Sequence, residues 1–348
     1  MSGSQNSTVD SSYPFITIAI PTRNRAALVK NCVTSALAQT YRNIEVFVSD
    51  NASTDDTLAT LSSIKDDRLR VKTNSENIGL VGNFNNCIRE AKGDYIVLMS
   101  DDNTLDPTFL EKCVRLVRME PGIPIVLAAY NVLVIDEFSA NERRVVPEVL
   151  SKALSTGIWD GTRILREYLH GRISAQTLSS IIRTDILRRN GGYPSEHPSA
   201  CDEAIWIPVL LEGHAGLVNE RCATYFVHGA SMSATFTADD RMRDLRKVME
   251  EISAVAERKI SDPATRRQIQ RLTWRYVAFQ VMITLVLYRR AGATLTDVVR
   301  KLWNWRPMLK QCTLMDFITT MHFRSWGRIL LPTPVIRWSI ALGLDRLF

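Results

Sequence analysis

The sequence lacks the local motifs of several large enzyme classes. It has no GxGxxG run, because the glycines within 79–82 are too close together and follow no strand–turn–helix pattern. A nicotinamide dinucleotide site is therefore unsupported. GxxxxGK[ST] is also missing, which argues against a P-loop nucleotide site, and the lack of GxSxG argues against the nucleophile elbow of many hydrolases.

Paired cysteines, a signal sequence and a long apolar run are missing as well. The six cysteines form no CxxC pair, which argues against a zinc ribbon, a redox dithiol or a disulfide scaffold and fits a reducing cytosol. The polar segment 1–13 predicts a disordered leader and no signal peptide. The apolar run 276–288 is 13 residues long between two arginines, whereas a membrane span needs about 20. We therefore expect a buried or interfacial helix there.

The charge of the chain is divided between two regions. The chain has 348 residues and a net charge of +6, and its length predicts roughly two domains. Residues 241–348 carry 20 Lys and Arg against 8 Asp and Glu, whereas residues 1–240 carry 23 against 29. An acidic region is typical of metal binding, and a basic one is typical of phosphate or membrane contact. The two regions are therefore expected to have different functions.

Strand and helix patterns alternate through the first hundred residues. Short β-branched runs predict strands at 15–20, 44–50, 68–73 and 94–100, with helical periodicity between them at 26–39, 57–64 and 83–91. Further along, we predict a strand pair within 123–135, a helix over 201–211 and a short strand at 224–227. This alternation predicts an α/β fold with a mostly parallel sheet.

Polar clusters follow three of the predicted strands. They are Pro21-Thr22-Arg23, Asp50-Asn51 and Ser100-Asp101-Asp102. Ligands of such sheets bind at the carboxyl ends of the strands, so these clusters predict one site. Two adjacent carboxylates can share Mg²⁺ or Mn²⁺ and leave positions open for phosphate oxygens.

The region from 238 onward predicts a run of arginine-rich helices. One hypothesis is that they bind an anionic membrane surface, because arginine and tryptophan side chains suit that interface. The alternative is that they pack against the catalytic domain or a second subunit, which would allow an oligomer. Nucleic-acid binding is disfavoured, because no recognition motif accompanies the charge.

Several motifs together resemble glycosyltransferase family 2, which has the GT-A fold. They are IAIPTRNRAALVKNC, SDNASTDDT, ENIGLVGNFN and GDYIVLMSDDN, in that order. The residues of these motifs are similar to those of bacterial transferases that build O-antigen and other surface polysaccharides. The resemblance covers about residues 14–235 and implies a GT-A catalytic domain at 14–237, followed by a basic helical region at 238–348.

The resemblance implies a donor site. Pro21, Thr22 and Arg23 match the segment that lines the nucleotide, and Asp50 matches the aspartate that pairs with the base. The segment containing Asn77 and Gly79 lies beside the donor in the family; the implied donor is a nucleoside-diphosphate sugar, with a UDP-sugar favoured.

The resemblance also implies a metal site. Asp102 would be the direct ligand of Mn²⁺ or Mg²⁺, and Asp101 a ribose or metal partner. Ser100 stands where many members carry an acid. His228 matches a late histidine that closes the site on the diphosphate or metal.

A catalytic base is implied near Trp206. Aligning this tryptophan with the family places the base at Asp202, with Glu203 as the alternative and Cys201 where many members have an acid. A single carboxylate base fits inversion at the anomeric carbon.

The expected function is an inverting, metal-dependent hexosyl- or deoxyhexosyltransferase of EC class 2.4. The acceptor would be a glycan or a polyprenyl-diphosphate-linked sugar, and the enzyme would be cytoplasmic and peripheral on the inner face of the plasma membrane. A second hypothesis is a catalytically silent sugar-nucleotide or glycan-binding protein on the same fold. A nucleotidyltransferase is disfavoured, because 20–27 lacks the glycines of a phosphate loop.

Overall fold

A computed structural model provides the structure of the chain. It describes residues 13–135, 143–147, 151–173, 175–228, 236–290, 292–306, 309 and 312. Most of the predicted leader and the end of the basic region, 313–348, lie outside the described residues.

Ten strands of the described chain form one sheet. Eight of them follow the order β3-β2-β1-β4-β9-β6-β10-β5, while β7 pairs with β6 and β8 pairs with β10. The strands are β1 (Ile16–Thr22), β2 (Ile44–Asp50), β3 (Leu69–Thr73), β4 (Tyr95–Leu98), β5 (Thr104–Leu105), β6 (Ile125–Ile135), β7 (Arg143–Pro147), β8 (Gly157–Asp160), β9 (Ser180–Arg183) and β10 (His214–Val227).

Six of these strands run in one direction. β1 is parallel to β2 and β4, and β2 is parallel to β3. β9 is antiparallel to both β4 and β6, so β6 points the same way as β4, and β10 is parallel to β6. The α/β fold predicted from the sequence is confirmed, and the carboxyl ends of six strands meet at one edge of the sheet.

Helices cover the sheet. They are α1 (Ala26–Leu37), α2 (Thr57–Ser62), α3 (Gly79–Glu90), α4 (Phe109–Met119), α5 (Gly161–Leu169), α6 (Thr184–Arg189) and α7 (Cys201–Leu210). α1 shows why these segments are helical: Val29, Cys32, Val33 and Ala36 recur at helical spacing and all are buried against the sheet. The central strands β1 and β2 are buried along their whole length.

Two strand predictions are wrong. Residues 125–135 form the single strand β6, because the run pairs with β10 over most of its length and also with β9 at its start and β7 at its end. The last strand begins at His214, ten residues earlier than predicted. Its register shifts between Val218 and Arg221 and again before Thr224, so the alternation that marks a strand is interrupted there.

The chain divides into two compact units. The first contains 1–168 and 172–234, and the second contains 169–171 and 235–348. The second unit holds α8 (Ala238–Lys259), α9 (Pro263–Arg290) and α10 (Leu295–Trp305), and its predicted apolar segment 276–288 lies inside α9. None of the described helices is long and apolar enough to cross a membrane. The domain assignments made from the sequence stay predictions.

Candidate active site

The polar residues predicted from the sequence lie at the common edge of the sheet. Thr22 ends β1 and Asp50 ends β2, while Asp101 and Asp102 follow β4 and His228 follows β10. Because these four strands run in the same direction, their ends bring the five side chains to one side of the fold. This is the edge where open α/β sheets bind ligands.

Asp101 faces the interior of this edge. Its Oδ2 accepts a hydrogen bond of 2.6 Å from the Thr22 hydroxyl, and its Oδ1 lies 3.8 Å from Arg25 Nε. Burial, and to a smaller extent the neighbouring Asp102 carboxylate, raises the pKa of Asp101 to about 6 despite the hydrogen bond from Thr22. The backbone N–H of Arg23 also donates to this carboxylate. Asp101 therefore fastens the turn after β4 to the end of β1.

Asp102 lies beside His228. Its Oδ2 is 3.2 Å from His228 Nε2, while its buried Oδ1 has no hydrogen-bond partner among the described residues. Asn103 sets this arrangement, because its Oδ1 accepts the backbone N–H of Phe226 at 3.0 Å and so joins the turn to β10. A buried carboxylate oxygen without a donor is a position that a cation or a ligand proton fits.

The described residues include no cluster of three or more His, Cys, Asp or Glu side chains arranged to hold a metal. Asp102 and His228 could supply two ligands, and phosphate oxygens and water would complete the shell, as is usual for Mg²⁺ and Mn²⁺. The residues present therefore fit a cation that binds together with a diphosphate.

Asp50 is the second carboxylate with an unused oxygen. The residue is fully buried; its Oδ2 accepts the Ser53 N–H at 3.2 Å, and its Oδ1 has no partner in the described part of the chain. Ala52, between them, adopts a left-handed φ of 55°, a conformation that non-glycine residues rarely take. The turn thus keeps the Asp50 carboxylate at the end of β2.

Asn51 fixes the segment that contains Asn77 and Gly79. Its Nδ2 donates to Asn77 Oδ1 at 2.8 Å and to the Gly79 carbonyl at 3.2 Å. Its Oδ1 accepts the Ile78 N–H at 2.9 Å and the Asn74 side chain at 3.1 Å. One side chain therefore ties this segment to the end of β2.

The helix after this segment is longer than predicted. α3 begins at Gly79 rather than at residue 83. Gly79 has a φ of +76°, so the glycine lets the chain turn directly into the helix. Asn83 lies inside the helix and is buried; its Nδ2 donates to the Ser49 carbonyl at 2.9 Å.

Asp202 lies at the start of α7, where a carboxylate suits the helix dipole. Its Oδ1 is 3.2 Å from the Thr177 hydroxyl and 3.4 Å from the Tyr193 hydroxyl. Burial, followed by the charge of Asp202, raises the pKa of Tyr193 well above its ordinary value, so the phenol remains a donor. Glu203 is 6% exposed, whereas Asp202 is partly exposed.

The strand pairing brings Asp202 to the same edge. β9 is antiparallel to β4, so the turn at Thr177–Ser179 that precedes β9 lies beside the carboxyl end of β4. Thr177 in turn contacts Asp202.

Four residues of the site were missed by the sequence analysis. They are Arg25, Asn103, Thr177 and Tyr193. Arg25 belongs to the same TRNR segment as two predicted residues and Asn103 directly follows Asp102, so both carried a signal. No local pattern marks Thr177 or Tyr193, because their roles depend on contacts across 25 and 9 residues.

A family model matches the part of the chain that supplies most of this site. The model described as "Glycosyl transferase family 2" matches residues 17–158, the region that supplies β1, β2 and the Asp101-Asp102 turn. Residues 17–158 are a glycosyltransferase family 2 domain. The family predicted from the sequence motifs is confirmed, and the protein is a transferase of the EC 2.4 class.

Curated relatives of this glycosyltransferase are bacterial. The glycosyltransferase EpsE of Bacillus subtilis is 28% identical over 210 residues, which cover 59% of this chain and 70% of EpsE. WfaP of Escherichia coli, a UDP-Glc:α-D-GlcNAc-diphosphoundecaprenol β-1,3-glucosyltransferase, is 26% identical over 220 residues, which cover 63% of this chain and 80% of WfaP. The glycosyltransferase is thus related to enzymes of polysaccharide and lipid-linked sugar synthesis.

Solved structures confirm the GT-A fold of this glycosyltransferase. Residues 1–349 of S. aureus TarS, in complex with UDP-GlcNAc, match with a TM-score of 0.64 at 16% identity, covering 94% of this chain and 92% of the other. The complex of TarS with UDP matches with a TM-score of 0.62 at 18% identity, covering 95% and 88%. At these identities the match shows the fold, while the roles of individual site residues stay predictions.

Proposed function

We propose that the chain is an inverting, divalent-metal-dependent glycosyltransferase of bacterial surface polysaccharide synthesis, with O-antigen as the type of product. The observation that carries the proposal is the buried Asp102 carboxylate beside His228, with an oxygen that no described residue satisfies. Such an oxygen, at the edge where the strand ends meet, suits a site for a diphosphate and its cation.

The proposed donor is a nucleoside-diphosphate sugar, with uridine favoured as the nucleoside. Asp50 Oδ1 is an acceptor without a protein donor, so it can receive an N–H of the base. WfaP is named for UDP-Glc, and the TarS structures contain UDP-GlcNAc or UDP. Pro21, Thr22 and Arg23 would line the nucleotide from the end of β1.

Asp102 would hold Mn²⁺ or Mg²⁺ together with His228. When bound, the cation supplies positive charge that stabilises the diphosphate leaving group. Asp101, which accepts a hydrogen bond from Thr22 and lies 3.8 Å from Arg25, would contact the ribose or share the cation. It keeps the turn, and with it the Asp102 side chain, in place.

Asp202 is the proposed catalytic base. Thr177 and Tyr193 both contact its Oδ1 and thereby orient the carboxylate. The carboxylate accepts the proton of the acceptor hydroxyl as the new bond from this oxygen to the anomeric carbon forms and the bond to the diphosphate breaks. A single displacement of this kind inverts the anomeric centre.

The proposed acceptor is a glycan or a polyprenyl-diphosphate-linked sugar. WfaP acts on a sugar linked to diphosphoundecaprenol, as its name states. Such an acceptor lies at a membrane, and the net basic charge of 241–348 suits an anionic surface. We place the enzyme in the cytoplasm, peripheral on the inner face of the plasma membrane, with an oligomer through the C-terminal helices as an alternative use of this region.

A thermal-shift experiment tests the donor and metal assignments. UDP, GDP, CDP and dTDP are each added with and without Mn²⁺ to the wild type, to Asp102→Asn and to the control Asp67→Asn, which changes an exposed aspartate elsewhere. We expect one diphosphate to raise Tm only with Mn²⁺, and this shift to vanish in Asp102→Asn alone.

Two results would count against the proposal. An equal metal-dependent shift in Asp102→Asn would remove the metal role of this residue. Nucleotide binding by the wild type, without release of nucleoside diphosphate from any donor in the presence of acceptor, would favour the silent binding protein.

A further inference from the structure

The helix α10 presents an apolar stripe to solvent. Leu295, Val299 and Trp303 are 46%, 59% and 65% exposed. They are spaced four residues apart, so they lie along one face of the helix. Three of the eight exposed large apolar side chains among the described residues are therefore gathered on one 11-residue helix. Scattered exposed apolar residues are ordinary, whereas a contiguous set of them marks an interaction surface.

Another face of α10 is attached within the second unit. Val298 and Trp305 are buried, and Trp305 Nε1 donates to Asp239 Oδ1 at 2.6 Å. Lys301 forms an ion pair with the same carboxylate. A capping box between Thr294 and Asp297 fixes the start of the helix. These contacts fix the orientation of α10 about its own axis and leave the apolar stripe exposed to solvent.

Two arginines flank the stripe. Arg300 and Arg306 are exposed, and the Arg306 guanidinium lies 3.9 Å from the ring centre of Trp303. Viewed down the helix axis, Arg306 projects in a direction between those of Leu295 and Val299, at the end of the helix, and Arg300 projects to the side of Trp303 away from Leu295. The exposed face thus combines apolar side chains, a tryptophan and positive charge.

This combination is the one that an interfacial helix needs. Apolar and tryptophan side chains enter the boundary between headgroups and acyl chains, while arginines bind anionic headgroups. An anionic bilayer complements the two exposed arginines. The net positive charge of 241–348 supports the same partner.

We infer that the outer face of α10, formed by Leu295, Val299, Arg300, Trp303 and Arg306, is the surface by which the protein docks on an anionic lipid bilayer. The inference rests on the membrane attachment proposed above and assigns it to one helix. Docking requires no span, because the stripe enters only the interface.

Vesicle co-sedimentation tests the inference on the full-length protein. Vesicles of phosphatidylcholine alone are compared with vesicles that contain equal amounts of phosphatidylglycerol and phosphatidylcholine. We expect the wild type to partition onto the mixed vesicles at least about tenfold more strongly.

Two pairs of variants separate the contributions of apolar contact and charge. The double variant Val299→Ser/Trp303→Ser should weaken binding at least about tenfold, because it removes apolar contact with the interface. Its control is Met119→Ser, at a residue 66% exposed in the first unit.

Arg300→Gln/Arg306→Gln should weaken binding by about fivefold per charge and remove the preference for phosphatidylglycerol. Arg258→Gln is its control, because Arg258 is an exposed arginine on α8, in the same unit. Far-UV circular dichroism checks that α10 remains folded in each variant.

The inference is overturned if Val299→Ser/Trp303→Ser binds the mixed vesicles like the wild type, or if charge-neutral vesicles bind equally well. It is also overturned if the wild type forms a dimer in solution that the double variant disrupts, since a second copy then covers the face. The thermal shift with UDP and Mn²⁺ should be the same in all four variants, so a failed donor assignment is recognised separately.

Discussion

Glu45 and Asp50 are two buried carboxylates on the same strand, and they differ in how many hydrogen bonds they accept. Near the start of β2, Glu45 accepts hydrogen bonds from the Thr17 hydroxyl at 2.7 Å, from the Lys92 N–H at 2.9 Å and from the Arg70 guanidinium at 3.0 and 3.2 Å. At the end of the same strand, Asp50 accepts one hydrogen bond and keeps an oxygen without a partner among the described residues.

The different pairing of these two carboxylates suggests that Glu45 stabilises the fold and that Asp50 serves ligand binding. A buried charge that is fully paired contributes to stability, whereas an unpaired one costs stability and persists when a ligand uses it. Asp102 repeats the pattern of Asp50, whereas the neighbouring Asp101 is paired, as Glu45 is, through Thr22 and Arg25. Glu45 therefore stabilises the fold, while Asp50 and Asp102 each keep a carboxylate oxygen without a partner among the described residues.

The largest effect is expected at Asp202. If the base is Asp202, Asp202→Asn should lower kcat by about a thousandfold while Tm stays close to that of the wild type. The adjacent Glu203→Gln is the matched comparison and should keep most of the activity. Measuring kcat and Tm for both distinguishes them; a loss of kcat confined to Glu203→Gln would move the base to that residue.

Glu45→Gln should lower stability and leave nucleotide binding unchanged, the reverse of the effect expected for Asp202→Asn. It leaves the Arg70 guanidinium without its charged partner and should lower the free energy of unfolding by about 2 kcal/mol at pH 7. Nucleotide binding should be unchanged. Urea unfolding and the UDP thermal shift measure the two properties, and a variant as stable as the wild type would remove the contrast between the two edges.

The stabilisation by Glu45 should also depend on pH. Burial alone would raise the pKa of Glu45, but the hydrogen bonds from Arg70 and Thr17 outweigh it and hold the pKa below its ordinary value of 4.5. The stabilisation is therefore present above that value and is lost as the pH falls through the lower pKa of the folded state. The difference in unfolding free energy between wild type and Glu45→Gln should shrink from pH 7 to about pH 3; a constant difference would contradict this.

Asp50→Asn should affect binding and leave stability intact. The amide presents a donor or a weaker acceptor to the base, so the Kd of the nucleotide should rise at least about tenfold. Tm should be unchanged or higher, because a buried charge with little compensation is removed. Isothermal titration and a melting curve give both values; a marked fall in Tm would show that Asp50 is a structural residue like Glu45.

The smallest effect is expected at Ala52. Its left-handed φ of 55° costs an alanine about 1 kcal/mol, and glycine adopts this conformation without strain. After the entropy lost by glycine, Ala52→Gly should raise the unfolding free energy by about 0.5 kcal/mol. Urea unfolding measures it, and a destabilised variant would show that the methyl group packs usefully beside Asp50.

The sequence predicts the carboxyl edge well because each part of it is local. A β-branched run that ends in a polar cluster marks a strand and its end within a few residues, and this holds for Asp50 and for Asp101-Asp102. Parallel pairing then places these ends together without further information. The family motifs cover the same stretches, which is why the family and the fold could both be recognised.

The features that the sequence analysis did not predict depend mostly on contacts between distant segments. Tyr193 reaches Asp202 only because the chain between β9 and α7 folds back, and no periodicity marks that segment. The early start of α3 was hidden by Gly79, since glycine argues against a helix unless its positive φ is used to enter one. The length of β10 was hidden by its register shifts.

The hydrogen bond between Thr22 and Asp101 joins residues 79 apart in the sequence, and the contact between Asp102 and His228 joins residues 126 apart. No fragment of the chain that stops before β10 holds both halves of this site. A ligand that binds only the native state stabilises it by mass action, so on the proposed assignment a nucleotide with its cation would stabilise the chain only after β10 has paired. Stabilisation by a nucleoside diphosphate would then report that the sheet is complete and would separate folded from incompletely folded protein during purification.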